Sequence, residues 1–374
     1  MNAPPAAERP WRIALTIVAL YLVSRLALIA VSVMVRQTLG DGSTETLPRA
    51  FCRWDCDWYL AIIDKGYTTT SADGGPGMTS YAFFPLFPLL ADALTAFGLS
   101  AIEAVVLLAN LCFVAALFYV QRYARLLGLS TQASLIAVAL LCFVPHGFVF
   151  SAGYTESLFL LLLAAAMYHL RREHYLAAGI AAAALSAVRA NGVFFLVFAL
   201  AVVLRNEGWR LFLAPWRKPE VFVPVVFAPL GLFLFWAWCF YGTGDAFAQM
   251  SSVEQGWQWR SAAPWKNLAK HLAGEAPARF WAIASLSIAA ASLLLLRRRW
   301  YEEFVLVAAI LCLLWSGQIA NSLLRYCIVL FPVWIAVARE LENRPVALAT
   351  VAGCFALFNG WLMAAWTLGA FISI

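Results

Sequence analysis

Long apolar runs recur along the 374-residue chain and limit the environment in which it can fold. Roughly 20 consecutive apolar residues cross a bilayer as a helix, and in lipid a helix satisfies its own backbone hydrogen bonds. The chain is 63% hydrophobic and 12% charged, which is typical of a multi-pass membrane protein. About eleven runs predict an all-α, polytopic fold with a single membrane domain at 1–374. The runs lie at residues 11–35, 101–120, 131–144, 154–170, 175–188, 192–204, 221–241, 280–296, 304–316, 326–338 and 346–368.

One more apolar run, residues 81–99, is interrupted by Pro85 and Pro88. Each proline removes a helix donor and clashes with a carbonyl one turn earlier. We therefore expect a re-entrant or interfacial segment here and not a further span.

The positive charges orient the predicted helices. Lysine and arginine are enriched in cytoplasmic loops. If residues 81–99 do not span, the arginine clusters share one side, and the short loops opposite hold only Arg189 and Arg325. This pattern predicts a cytoplasmic N-terminus, an outer C-terminus and two long outer loops, 36–80 and 242–279. The first run, 11–35, is too long for the apolar part of a signal peptide, so we expect it to be an uncleaved span. The cations predicted to be cytoplasmic are Arg9, Arg12, Arg122, Arg125, Arg171, Arg172, Arg205, Arg210, Arg217, Lys218, Arg297, Arg298, Arg299, Arg339 and Arg344.

Neither the charge nor the cysteines predict a nucleic-acid or metal site. The net charge of +6 is spread over short loops and forms no basic patch. Most of the eight cysteines sit inside apolar runs, where cysteine behaves as a small hydrophobic residue. Cys52 and Cys56 share a polar loop, but four positions apart on one helix they would be poorly placed for a disulfide. We expect no disulfide there, no metal and no cofactor.

The first outer loop carries an acidic and aromatic segment, residues 53–63, that contains Asp55 and Asp57 beside Trp54, Trp58 and Tyr59. Carboxylates at a membrane surface can perform acid–base chemistry on a substrate that arrives through the lipid. The alternative is an amphipathic interfacial helix whose aromatic rings belong to the membrane belt and whose acids are solvated. Composition alone leaves both interpretations open.

A polar cluster around Tyr154 and Glu156 opens a later run, after an outer turn. Ser151 or Thr155 could cap that helix, and Glu156 in its first turn would suit the helix dipole. The functional alternative is that this cluster faces a substrate cavity.

Two outer turns carry arginines, Arg189 with Asn191 and Arg325 with Tyr326. These arginines could cap a helix or extend toward the lipid–water boundary. They also suit an anionic headgroup, because guanidinium binds phosphate through two parallel donors. We predict that both arginines converge with Glu156 and Asp55 around one cavity.

Two further residues need an explanation. Arg25 lies near the middle of the first span, where a charge is costly unless it is paired or faces a polar cavity. Trp257 belongs to a cluster of tryptophans and glutamines in the second outer loop. Flat aromatic rings with amide donors suit sugars, although tryptophan is also common at membrane interfaces.

Five blocks of these residues, in this order, resemble the PIG-V-like mannosyltransferases, integral-membrane enzymes of the GT-C glycosyltransferase class. A single block would be weak, whereas five in order are specific. Ala190 departs from the family's usual serine. The blocks are Arg53-Trp54-Asp55 with Trp58-Tyr59 and Gly66-Tyr67, Ala82-Phe83-Phe84-Pro85-Leu86-Phe87-Pro88, Tyr154-Thr155-Glu156-Ser157-Leu158-Phe159, Arg189-Ala190-Asn191-Gly192, and Leu324-Arg325-Tyr326 with Phe331-Pro332.

The resemblance implies a glycosyltransferase that moves a sugar, with mannose as the expectation, from a polyprenyl-phosphate donor to a glycan or glycolipid acceptor at the outer face. It also implies Asp55 as the catalytic carboxylate, with Asp57 as an auxiliary. In an inverting transfer Asp55 would be the general base. Arg189, Arg325 and Tyr326 would bind the donor phosphate. The expected substrate-binding residues are Trp54, Trp58, Tyr59, Tyr154, Glu156, Asn191 and Trp257.

The alternative function is a transporter or flippase for a lipid-linked or small polar substrate. Transporters tend to show repeated halves and broken helices near the midplane. Here the candidate residues cluster at the predicted outer mouth, with Arg25 as the exception.

The charge pattern makes a topology prediction. Reporter fusions at Arg172 and after Arg299 should report the cytoplasm, because arginine-rich loops stay there. A fusion after Ile374 and a tag near Trp257 should report the outer side. A cytoplasmic C-terminus would mean that residues 81–99 span the membrane or that another run is miscounted.

Overall fold

The structure is a computed structural model that describes residues 9–40, 46–69, 77–317 and 322–370. Within these ranges the chain is helical and has no β-strand, only an isolated bridge between Ser261 and Gly317. Residues 41–45 and 70–76 of the predicted first outer loop lie outside the described residues. The α-helices are α1 (Pro10–Leu39), α2 (Leu47–Ala50), α3 (Asp55–Lys65), α4 (Leu86–Thr95), α5 (Ala101–Leu126), α6 (Thr131–Phe143), α7 (Glu156–Arg171), α8 (Tyr175–Val188), α9 (Phe195–Glu207), α10 (Val223–Phe227), α11 (Leu230–Thr243), α12 (Ala248–Gly256), α13 (Pro264–Ala273), α14 (Ala276–Arg297), α15 (Tyr301–Ser316), α16 (Leu323–Cys327), α17 (Phe331–Leu341) and α18 (Pro345–Thr367).

The expected count of eleven spans is not confirmed. Among the described residues, 5 helices are long and apolar enough to cross a membrane, or 6 if the pair that bends by 43° between α10 and α11 counts as one. Three predicted runs form α6, α7 and α8, which have 13, 16 and 14 residues. At 1.5 Å per residue these helices reach about 20–24 Å, less than the roughly 30 Å of the hydrocarbon core.

Helix α5 organises the centre of the bundle. It begins at a capping box, in which the amide of Glu103 donates to Ser100 and the Glu103 carboxylate accepts from the Ser100 amide. Such a box satisfies amides that the first turn leaves without partners. From there α5 packs against α7 and α6, and its first part supports α3 and α4.

Close helix crossings extend this centre through α8, whose sequence is rich in alanine. Helix α8 packs against α7, α10 and α11. Gly231 of α11 permits the approach, since a Cβ there would collide with the carbonyl oxygen of Ala183. Small residues commonly allow membrane helices to approach in this way.

Arg25 has no carboxylate partner among the residues that the structure describes. Its guanidinium donates to the carbonyl oxygens of Cys142 and Gly147 at 3.0 and 3.1 Å, and to Ser151 Oγ at 3.1 Å. It also lies 5.0 Å from the ring centroid of Phe113. These acceptors meet the requirement that a buried charge be hydrogen-bonded. Arg25 therefore ties α1 to the turn that leads into α7.

The segment around residues 79–99 and the second predicted outer loop, 242–279, contact each other. Residues 81–99 form the end of a 3-10 turn and the 10-residue helix α4, which is too short to cross a bilayer. The amide and hydroxyl of Thr79, just before that turn, lie 3.1 and 2.9 Å from Ser252 Oγ on α12. The interfacial position of α4 stays a prediction.

A cluster of charged side chains lies at the C-terminal end of α7. Arg171 lies 2.6 Å from Glu303, whose carboxylate also accepts from the Tyr123 hydroxyl at 2.5 Å. Arg205 lies 2.9 Å from the adjacent Glu302. Both glutamates are buried, and both lie in the first turn of α15. This cluster joins α5, α7, α9 and α15.

Candidate active site

A disulfide between Cys52 and Cys56 closes the loop that leads into α3, with the two Cα atoms 5.2 Å apart. The expectation that these cysteines would not pair was wrong, because it placed both on one helix. Helix α3 begins only at Asp55, so Cys52 lies on irregular backbone and can turn toward Cys56. Inside the loop, Trp54 has a φ of 55°, which residues with a side chain rarely adopt.

Asp55 begins α3 and forms an ion pair with Arg325 of α16. Arg325 donates from Nη2 to Asp55 Oδ2 at 2.8 Å. The Arg325 side chain is 3% exposed and that of Asp55 is 26% exposed. The pair therefore combines a buried guanidinium with a carboxylate that reaches solvent, in a first helical turn whose dipole favours negative charge.

Glu156 is the fully buried centre of the cluster. Its Oε1 lies 2.7 Å from Arg189 Nη2 and 3.1 Å from Arg325 Nε. The two guanidinium groups offset the cost of taking this carboxylate out of water. We call Asp55, Arg325, Glu156 and Arg189 the acid–arginine chain. The structure thus brings together the four side chains that were predicted to converge.

The expected cap by Ser151 or Thr155 does not form, although Glu156 does lie in the first turn of α7 as expected. Thr155 occupies the N-cap position of α7 but makes no side-chain capping hydrogen bond. Ser151 instead accepts from Arg25 and donates to Asn110 at 2.7 Å. Glu156 is therefore directed into the charged cluster.

Two tyrosines lie against the guanidinium groups of this chain. Arg325 lies 4.6 Å from the ring centroid of Tyr154 and 4.9 Å from that of Tyr326. Arg189 lies 4.5 Å from the Tyr326 ring, and Arg325 also donates to the Tyr326 hydroxyl at 2.9 Å. Cation–π contacts of this kind are strengthened by desolvation. The rings therefore fix both arginines from the sides.

Tyr154 and Tyr59 complete the buried wall of the site. Burial raises the pKa of both hydroxyls, so each stays protonated and available as a donor. Tyr154 donates to the carbonyl oxygen of Arg53 at 3.1 Å, a contact that the sequence did not predict. Tyr59 packs edge-on against Phe83 and Phe87.

Three aromatic rings meet beside the charged cluster. Trp58 stacks on Phe83 with ring centroids 5.5 Å apart, and Trp257 lies 5.5 Å from Trp58 and 5.7 Å from Phe83. We call these residues the aromatic triad. Trp58 follows Asp55 by three positions, so both lie on the same face of α3. The sequence analysis names Trp58 and Trp257 as substrate-binding residues, whereas it contains Phe83 only within a block that resembles the family.

Asp57 and Trp54 stand apart from the acid–arginine chain. Asp57 pairs with Arg49 at 2.5 Å, and both side chains are well exposed, at 49% and 39%. Trp54 is also exposed. Among the described residues, the ion-pair partner of Asp57 is Arg49 and not Arg189 or Arg325.

Several buried polar atoms of the site have no hydrogen-bond partner among the described residues. They belong to Thr155 (Oγ1), Glu156 (Oε2), Asn191 (Oδ1) and Arg325 (Nη1). Buried polar groups in proteins are almost always paired with protein or ordered water. Their concentration around one cluster is typical of a site that completes its hydrogen bonds with a polar ligand.

Comparison with known sequences identifies related proteins. Residues 18–234, more than half of the chain, match the family model described as Mannosyltransferase (PIG-V). The GPI alpha-1,6-mannosyltransferase 2 of Mus musculus is 32% identical over 189 residues, which are 48% of this chain and 37% of that protein. The same protein of Rattus norvegicus is 29% identical over 170 residues, 43% and 33% of the two chains. The chain thus spans well under half the length of these relatives.

Comparison with solved structures identifies the fold. The Archaeoglobus fulgidus oligosaccharyltransferase tethered with an acceptor peptide superimposes with a TM-score of 0.50 at 13% identity. The same enzyme with an inhibitory peptide and a dolichol-phosphate gives 0.51 at 15% identity. Each match covers 93% of this chain and 55% of the other. The expected GT-C-like fold is confirmed.

Replacing Glu156 with glutamine should destabilise the protein strongly. The change keeps the side chain's shape but leaves the buried Arg325 and the half-buried Arg189 with one carboxylate, and breaking a buried ion pair costs about 3–5 kcal/mol. Unfolding in mixed micelles measures this loss. As a matched control, Glu207→Gln removes the charge opposite the exposed Lys218, 2.7 Å away, and should cost at most about 1 kcal/mol. Equal losses in the two variants would contradict the central role of Glu156.

Proposed function

The chain belongs to the PIG-V mannosyltransferase family, and on that basis we propose that it transfers mannose from a polyprenyl-phosphate donor to a hydroxyl of a glycan or glycolipid acceptor. The observation that carries the proposal is the partly exposed carboxylate of Asp55, held at 2.8 Å by the buried Arg325 beside unsatisfied polar atoms. Family membership favours transfer over the transporter alternative.

In the proposed reaction Asp55 is the general base. The acceptor oxygen attacks the anomeric carbon, its proton passes to Asp55, and the bond from that carbon to the phosphate oxygen breaks. Attack from the side opposite the phosphate inverts the anomeric centre, so one base suffices. The position of Asp55 supports this role, because its side chain combines solvent access with a fixed orientation.

The leaving phosphate is a good leaving group without a general acid, but its charge needs donors. Arg189, Arg325 and the Tyr326 hydroxyl are the proposed donors. In support, Nη1 of Arg325 is buried and has no hydrogen-bond partner among the described residues. Arg189 is held against Tyr326 by its ring contact, which leaves its planar group oriented for a second acceptor.

The sugar and the acceptor would lie against the aromatic triad and its surroundings. Trp58 and Trp257 are half-buried, and flat rings of this kind pack against the apolar faces of sugars. Trp54 would extend this surface at its exposed edge. Asn191, Tyr154 and Glu156 would contact the donor from the buried side, where Asn191 Oδ1 lacks a partner among the described residues. Tyr59 would donate its hydroxyl there.

The site is proposed to face the outer side of the membrane, with the N-terminus in the cytoplasm. The disulfide between Cys52 and Cys56 supports this orientation independently of the charge pattern. Disulfides persist in oxidising compartments and are rare where thiols are kept reduced. The donor would therefore be used outside the cytoplasmic membrane.

Asp55→Asn tests the base. This substitution keeps the size of the side chain and removes its basicity, so transfer from a polyprenyl-phosphate-mannose donor should fall by about 10²–10⁴-fold. Asp57→Asn should cost less, because Asp57 lies in an exposed pair with Arg49. Near-normal turnover in a folded Asp55→Asn enzyme would rule out this assignment.

Arg325 variants test the phosphate contact. Arg325→Ala should weaken donor use by roughly ten- to a hundredfold, which corresponds to the typical value of a charge-assisted hydrogen bond. Arg325→Lys should retain only part of the wild-type donor use, since lysine keeps the charge but not the paired donors. Arg298→Ala, which breaks a pair with Glu340 elsewhere in the bundle, is the control and should leave donor kinetics unchanged. Full activity in Arg325→Lys would contradict a two-donor contact.

A further inference from the structure

We propose that the disulfide between Cys52 and Cys56 is a positioning element that holds Asp55 at its reacting position. The proposal rests on the function proposed above, because it concerns the carboxylate assigned as the base. The disulfide closes a short ring of backbone, and Asp55 is one of the residues inside it. Both cysteines are fully buried, so the ring is anchored in the protein and not free in solvent.

The disulfide-closed loop holds the backbone of Trp54 in an unusual conformation. Its backbone has a φ of 55° and a ψ of −112°, and it directly precedes Asp55. A residue with a side chain adopts such angles only where the surrounding structure over-determines them. Because Cys52 and Cys56 flank Trp54 on both sides, their bond limits the rotations that would let this backbone relax.

The other half of the site packs on the same disulfide. The amide of Gly153 donates to the carbonyl oxygen of Phe51 at 2.9 Å. A Cβ on Gly153 would lie 2.5 Å from Cys56 Sγ, so only glycine fits against this sulfur. The next residue, Tyr154, contacts Arg325. The disulfide thus links the loop of Asp55 to the segment that carries Tyr154.

Without the disulfide, Trp54 can return to a negative φ, and this rotation moves Asp55 relative to Arg325. Displacing a reacting group by an ångström costs on the order of 100-fold in rate. Both arginines are also held by Glu156 and by the ring of Tyr326, which lie outside the disulfide ring. The loss should therefore appear in kcat, while the KM for the donor changes little.

The first measurement counts thiols in the purified protein. Unfolded but unreduced, it should react at the free cysteines only, namely Cys112, Cys142, Cys239, Cys312, Cys327 and Cys354. After reduction all eight cysteines should react. Eight reactive thiols before reduction would overturn the proposal.

The second measurement compares two double variants. Cys52→Ala with Cys56→Ala should lower kcat by roughly ten- to a hundredfold. Cys312→Ala with Cys354→Ala removes two exposed free cysteines and should keep the wild-type kcat. An unchanged kcat in a folded variant without the disulfide would defeat the proposal.

Substitutions at Trp54 separate positioning from general stabilisation. Trp54→Gly and Trp54→Ala both remove the indole, but only glycine accepts a positive φ without strain. With the disulfide present, the two variants should have similar kcat values. Without it, the glycine variant should exceed the alanine variant by about tenfold. A glycine-to-alanine ratio that is the same in both backgrounds would count against the proposal.

Hydrogen–deuterium exchange tests the positioning proposal without depending on enzymatic activity. Loss of the disulfide should speed exchange over residues 52–65 and leave α5 unchanged. If even the wild type transfers no mannose, the proposed function fails, yet faster exchange at 52–65 would still support positioning. Unchanged exchange there would overturn the positioning proposal whatever the activity.

Discussion

The site depends on the ion pairs that the fully buried carboxylate of Glu156 forms with two arginines. Its single Oε1 atom lies near both Arg189 and Arg325, and Arg325 in turn holds Asp55. A buried charge is tolerated only when opposite charges and hydrogen bonds surround it. The chain segments that meet here come from α3, the start of α7, the turn after α8, and α16. Four segments that are distant in sequence are therefore fixed by the need to satisfy one another's charge.

The acid–arginine chain alternates in sign and sums to zero, which suits the proposed chemistry. A donor phosphate would add negative charge to a neutral site. In the proposed transfer, the proton that reaches Asp55 removes one negative charge while the leaving phosphate gains one. Arg325 lies beside Asp55. It can therefore neutralise the new negative charge on the phosphate when Asp55 becomes protonated. A single guanidinium would then serve both halves of the reaction, without rearrangement of the buried core.

The sequence was informative where function restricts polar residues in an apolar chain. Glu156, Arg189 and Arg325 could be singled out because a charge near lipid needs a reason, and the structure brings them together with Asp55. Features set by local backbone were not predictable. The disulfide was missed because the start of α3 decides whether Cys52 can reach Cys56. The count of eleven spans was not confirmed, because an apolar run does not reveal where its helix ends. Two of the acceptors of Arg25 are backbone carbonyls, which cannot be identified from residue types.

Helix α7 carries a charged contact at each end, Glu156 at its first residue and Arg171 at its last. Both contacts involve buried partners, so the helix cannot slide along its axis without breaking two clusters at once. An inserted residue would rotate one end by about 100° and shift it by 1.5 Å relative to the other. The register of α7 is therefore fixed, and its length sets the distance between the Glu156 cluster and the Arg171 cluster. An opening for the proposed lipid donor would therefore come from the segments around this helix.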